Sequence, residues 1–148
     1  MVVRKGDCMT KIFGEKKNAR YLTRKGAYII PKKDGKIAVV KTPKGYFLIG
    51  GGIEHDETDE ACIIRECLEE TGYKAVVGEY ICSAETYTEH PEIGFFHPVQ
   101  NYYSGELTEK ALSNQEHNLE WIDYEDIKGN LFAEMQNWAL EQCMNHKK

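Results

Sequence analysis

Glu66, Glu69 and Glu70 stand at i, i+3 and i+4, a spacing that gathers three carboxylates on one stripe if the segment is helical. Like charges one turn apart repel by on the order of a few tenths of a kcal/mol, and a hard divalent cation relieves that repulsion. Mg²⁺ suits such a cluster because it keeps several waters and completes its sphere with phosphate oxygens. Taken alone, three glutamates describe a solvated acidic face equally well. Just upstream, Gly50-Gly51-Gly52 lets backbone approach a phosphate closely, and three successive glycines are costly in entropy for a turn that is merely flexible.

The elements that must position these residues can be read on either side of them. Thr58 suits a helix N-cap, Asp59 and Glu60 suit a positive first turn, and Gly72 suits a C-terminal stop, so the sequence predicts a helix over 59–71. Ala61, Ile64 and Leu68 fall opposite the glutamates and are the expected core face. Segments 8–14, 26–30, 37–40 and 46–49 are short β-branched or aromatic runs that read as strands, with Asp34-Gly35 as a tight hairpin turn and 43–45 as a second turn. Segments 75–88, 94–107 and 119–123 read as further strands. Leu131, Phe132, Met135, Trp138, Ala139 and Cys143 carry the spacing of an amphipathic terminal helix. The expectation is one α/β domain over 1–148, with a mixed sheet between helices.

Composition sets the outer limits. Hydrophobic residues at 41% and charged residues at 29% are globular proportions, excluding a disordered or fibrous chain. No apolar run approaches the roughly 18 residues of a membrane span, and the N-terminus lacks a secretory leader, so a cytoplasmic protein without a membrane partner is expected. Five scattered cysteines, Cys8, Cys62, Cys67, Cys82 and Cys143, form no CxxC pair and read as reduced, half-buried thiols. Residues 1–44 hold thirteen Lys or Arg against three acids. That asymmetry suits either a solvated basic face or a grip on an anionic ligand.

The wider spacing decides among these readings. Gly51, five residues, Glu57, seven residues, then Arg65-Glu66-Cys67-Leu68-Glu69-Glu70-Thr71-Gly72-Tyr73 resembles, position by position, the signature of the Nudix hydrolases. The resemblance covers about a sixth of the chain and implies an α/β/α sandwich. It also implies a pyrophosphohydrolase of the MutT-like type, acting on a nucleoside diphosphate linked to another group. Ile49 and Asp56 depart from the Pro and Gly usual at those places, which bears on loop conformation.

Carried onto this chain, the resemblance implies Mg²⁺, or Mn²⁺, on Glu69 and Glu70, with the Gly51 carbonyl able to complete the metal site. Glu66 would bind metal or assist the base, and Glu57 and Arg65 would brace the loop against the helix. Arg65 could instead simply pair with Glu69 at i+4. Glu116, in 113–118 before a late strand, is the candidate for a further carboxylate from outside the motif, weighed against a solvated loop glutamate. Arg24, Tyr46 and Phe47 are candidates for substrate contact, by phosphate pairing and base stacking, with ordinary sheet packing as the alternative for each.

The implied partner is a nucleotide-type small molecule: a nucleoside triphosphate, dinucleoside polyphosphate, nucleotide sugar or RNA 5′ end. DNA is not expected, no aromatic-interleaved RNA motif is present, and a homodimer is compatible with the sequence. The alternative is a non-catalytic nucleotide-sensing module, against which the retention of every glutamate argues.

Overall fold

Asp34 and Gly35 both take positive φ, 53° and 78°, and turn strand β3 (Leu22–Lys33) back into β4 (Lys36–Thr42), as the Asp-Gly pair predicts. The computed structural model describes the backbone of residues 1–5 and 8–146 and the side chains of residues 1–2 and 9–146. Both strands are buried on both faces, and their alternation divides the core. Ala27, Ile29, Ala38 and Val40 face helix α1 (Asp59–Thr71), meeting Cys62, Ile63 and Cys67. Ile30, Ile37 and Val39 face the other way, toward Met135, Ala139, Leu140 and Cys143 of α3 (Glu134–Asn145). A sheet buried on both sides between helices is the α/β sandwich that the sequence predicts.

The remaining strands are β1 (Val2–Lys5), β2 (Cys8–Phe13), β5 (Gly45–Phe47), β6 (Ile49–Gly52), β7 (Tyr73–Thr86), β8 (Thr88–His90), β9 (Gly94–Lys110) and β10 (Asn118–Asp123). The sheet runs β1-β2-β7-β9-β3-β4-β10, with β5 on β4, β6 on β3 and β8 on β9. It is mixed: β2 pairs β7 and β3 pairs β9 in parallel, the other pairs being antiparallel. β3 and β9 align Gly26 with Gln100 and Tyr28 with Tyr102. A short helix α2 (Tyr124–Ile127) follows β10.

Four expectations require correction. Segment 46–49 is two strands, because β5 pairs with β4 whereas β6 crosses to β3, leaving Leu48 between them. Leu131 and Phe132 precede α3 rather than belonging to it, and Phe132 is 59% exposed. Cys62, Cys67, Cys82 and Cys143 are fully rather than half buried, and all are free; the side chain of Cys8 lies outside the described residues. The core face of α1 is Cys62, Ile63, Cys67 and Thr71, while Ile64 is 40% exposed. At about 100° per residue, Glu66 and Glu70 fall between Cys62 and Cys67, inside the buried arc. The acids are therefore turned toward the sheet, and the apolar stripe opposite them is turned away from it. Among the described residues no helix is long and apolar enough to cross a membrane.

Candidate active site

Local chemistry fixes α1 at both ends. The Thr58 hydroxyl accepts from the Ala61 N–H at 3.1 Å, and Gly72, at φ 81°, donates its N–H to the Leu68 carbonyl. The next two carbonyls of the last turn are satisfied by a distant loop. The N–H groups of Glu116 and His117 donate to the carbonyls of Glu69 and Glu70, each at 3.0 Å. The sequence-predicted outlying carboxylate, Glu116, is thereby moored to the residues carrying the motif glutamates.

Arg65 joins the helix to the loop before it. Its Nε and Nη2 donate to the two Glu57 oxygens at 2.6 and 2.9 Å, Nη2 also donates to the Gly52 carbonyl at 3.1 Å, and Nη1 reaches Glu69 at 2.9 Å. The brace and the i+4 pair coexist on one guanidinium, whose fork suits bidentate pairing. The Arg65 hydrogen bonds hold the Glu57 carboxyl down at about 2. Glu57 Oε1 accepts from the Glu54 N–H at 2.8 Å as well, closing the loop on itself.

Glu66 and Glu70 meet the glycine strand. A Cβ on Gly51 would overlap the Glu66 carboxylate, so the bare backbone there serves the protein's own acid. The Gly50 N–H donates to Glu70 Oε1 at 3.1 Å, and His117 Nε2 lies 3.9 Å from Glu70 Oε2. The Cys62 thiol donates to the Gly51 carbonyl at 3.4 Å. Burial raises the Glu66 carboxyl above its ordinary range, opposed by Arg65 and reinforced by Glu69 and Glu116. Burial pushes Glu70 up to about 8, opposed by the Gly50 N–H and reinforced by Glu66, Glu116 and Glu69. Glu69 is the more open of the three, at 41% side-chain exposure against 20% for Glu66 and 14% for Glu70.

On the other face of the same strand lies a cleft of about 220 Å³, lined by Arg24, Tyr28, Gly52, Phe96, Pro98 and Gln100. The Arg24 guanidinium sits over the Phe96 ring, 5.7 Å from its centroid. Between acids and cleft stands the side-chain-free backbone of Gly50, Gly51 and Gly52 in β6, and the fields of Glu70 and Glu66, after burial itself, raise the Tyr28 hydroxyl pKa from across it. A larger cavity of about 330 Å³, bordered by Lys32, Gly78, Ser104 and His146, contains none of the motif residues.

Arg24 is thus placed beside the site, but Tyr46 and Phe47 are not among the cleft's lining residues. Tyr46 is committed to Glu120, at 3.4 Å, and to Lys41, while Phe47 packs on Phe132 with centroids 5.2 Å apart. Sheet packing, the alternative for both, is where they lie. Tyr28, Phe96, Gln100 and His117 escaped the sequence reading; His117 adjoins Glu116, but no local pattern marks the other three.

Residues 22–142 match the NUDIX domain, and the chain belongs to that family. Over 60 residues it is 37% identical to the CTP pyrophosphohydrolase of Escherichia coli (strain K12), a match that spans 36% of this chain and 44% of that protein's length. Among solved structures, the MutT NUDIX hydrolase from Burkholderia pseudomallei superposes with a TM-score of 0.68 at 23% identity, covering 82% of this chain and 98% of that one. The E. coli ORF135 protein gives 0.62 at 26% identity, covering 84% and 91%.

Proposed function

We propose that this chain hydrolyses the pyrophosphate bond of a nucleoside diphosphate derivative, with a divalent cation, Mg²⁺ or Mn²⁺, held by Glu66, Glu69 and Glu70. The observation that carries this reading is the acidic cluster and the Arg24 cleft standing on opposite sides of one glycine strand. A nucleotide spanning the strand's edge would have its phosphates at the acids and its base in the cleft. The family match and the name of the E. coli relative support a nucleotide substrate.

The donor set fits a hard cation. Glu66 and Glu70 are buried together with their carboxyls pushed upward, an unfavourable arrangement that a cation relieves. Carboxylate oxygens are the donors that Mg²⁺ and Mn²⁺ take, with water and substrate phosphate filling the remainder of the sphere. When bound, the cation supplies charge for the phosphate oxygens and acidifies a water.

The chain's own residues supply the remainder. Water attacks phosphorus, the bridging P–O bond breaks toward the leaving phosphate, and a glutamate of the cluster takes the proton, with Glu66 and Glu116 as candidates. The Gly50 N–H holds one Glu70 oxygen, Arg65 and Glu57 keep the loop on the helix, and Arg24 offers a cation at the cleft wall.

The test is release of pyrophosphate or phosphate from a nucleotide panel with Mg²⁺. Glu69→Gln and Glu70→Gln should retain the fold and lose turnover by at least about 10²-fold. Wild-type turnover in both variants would overturn the assignment. Nucleotide binding without release from any panel member would favour a sensing module.

A further inference from the structure

The floor of the Arg24 cleft ends in a side chain whose orientation is set from the opposite side of the core. Leu48, stranded between β5 and β6, donates its N–H to Gln136 Oε1 at 2.9 Å. A main-chain N–H can only donate, so Gln136 must present its oxygen there and its nitrogen to Gln100 Oε1, at 3.2 Å. The buried Tyr102 hydroxyl donates to that same oxygen at 2.6 Å. Gln100 is left with its amide nitrogen toward the cleft, where it donates to the Tyr28 hydroxyl oxygen at 3.4 Å. A carboxamide can ordinarily be flipped to suit its neighbours. Here the sequence Leu48, Gln136, Gln100 admits one orientation.

Because the Tyr28 oxygen accepts from Gln100, its hydrogen is free to turn outward, and among the described residues it has no acceptor. The floor therefore offers two donors, the Gln100 amide and the Tyr28 hydroxyl, and Arg24 at the wall is a donor as well. A ligand edge with adjacent acceptors fits such a floor, whereas a ring N–H aimed at it leaves donors facing each other unpaired. At about 220 Å³ the cleft is smaller than the roughly 300–1,000 Å³ of drug-sized sites and of a size for a nucleobase.

We propose that the Leu48–Gln136–Gln100 relay makes this cleft selective for a cytosine-type pyrimidine, whose N3 and O2 accept from Gln100 and Tyr28. Uracil places N3–H against the same donors. The proposal rests on the nucleotide-hydrolysis reading and names its substrate class.

Binding of CMP and UMP, which have no pyrophosphate bond, separates recognition from chemistry. Calorimetry on the wild-type chain should favour CMP by about tenfold or more, and kcat/KM should favour CTP over UTP in the same direction. Gln136→Glu does not touch the cleft. Once its carboxyl is ionised, at high pH, it replaces the donor facing Gln100 by an acceptor, so Gln100 turns its nitrogen inward and its oxygen to the cleft, and the CMP preference should vanish or reverse; while protonated it still donates to Gln100 and keeps the preference. Gln136→Met, similar in volume and uncharged, should bring the ratio toward unity. Gln100→Glu should lower CMP affinity more than UMP affinity.

Equal binding of CMP and UMP by the wild-type chain, a preferred purine nucleotide, or no binding of any would overturn the proposal. So would an unchanged ratio in folded Gln136→Met. Selective binding with no release from CTP overturns the hydrolase reading alone, and hydrolysis indifferent to the base overturns the relay alone.

Discussion

Gly51 lies directly beneath the Glu66 carboxylate, in space that any Cβ at position 51 would occupy. The obstacle would be the tip of a flexible side chain, so Gly51→Ala should leave the fold intact and swing Glu66 aside. Misplacement of a catalytic group by an ångström costs up to about 10²-fold in rate, and a loss of that order in kcat with little change in Tm is expected. Gly52→Ala is the control for stability, since nothing comes closer than 4.0 Å to a Cβ there. A Gly51→Ala protein with wild-type kcat would show that the Glu66 position is not needed.

Arg65 makes the second prediction. Its fork holds both Glu57 oxygens, Glu69 and the Gly52 carbonyl at once, a pattern that a lysine ammonium cannot reproduce. Arg65→Lys should weaken Mg²⁺ affinity or activity by roughly 10–100-fold, the usual effect of losing a residue that orients ligands. Titration of activity against Mg²⁺ checks this. The Glu57 carboxyl is lowered in the fold, so the contribution of this pair to stability is complete above its unfolded pKa of about 4.5. It fades only as pH falls through about 2, so activity lost near pH 5 is to be sought in other groups.

The sequence made the helix legible because its signals are local: Thr58 and Gly72 cap it within one turn of its ends, and the motif glutamates lie between them. The face that helix buries was misread because hydrophobicity alone was counted. Glu66 and Glu70 occupy the centre of the buried arc, an arrangement that depends on Gly50 and Gly51 arriving opposite them. The cleft was illegible for a topological reason. Gln100 and Tyr28 are 72 residues apart and meet through the parallel pairing of β3 with β9, which no sequence period encodes. Tyr46 and Phe47 stand next to the glycines in sequence, yet β5 diverges to β4, so nearness along the chain misled.

The buried Glu70 carboxyl gives a pH prediction for the metal-free protein. Its pKa in the fold, about 8, lies above its unfolded value of about 4.5. Between these values the folded state binds more protons than the unfolded state, so stability falls as pH rises. The contribution is fully present below about pH 4.5 and lost through about pH 8. The Tm of the wild-type chain minus that of Glu70→Gln should therefore decrease from pH 5 to pH 9 without metal. Added Mg²⁺ should raise the wild-type Tm more at pH 8 than at pH 5.5. A Tm difference independent of pH would mean that Glu70 titrates as an ordinary surface carboxyl.

Asp56 supplies the last prediction, at a position where the sequence departs from the family's usual glycine. Its backbone is left-handed, φ 63°, a conformation that costs most residues with a Cβ roughly 1–2 kcal/mol and aspartate somewhat less. The side chain returns little, because its contact with His55 Nε2, at 3.2 Å, is 86% exposed on the aspartate side. Glycine would remove the steric cost while adding freedom to the unfolded chain, so Asp56→Gly should be neutral or stabilising by up to about 1 kcal/mol. A β-branched residue gains nothing in return: Asp56→Val should cost about 1–2 kcal/mol. Because Glu57 follows directly, the valine variant should also loosen the Arg65 brace and lower Mg²⁺ affinity. Thermal melts of both variants decide the matter, and a lower Tm for Asp56→Gly than for Asp56→Val would show that the loop does not need its left-handed turn.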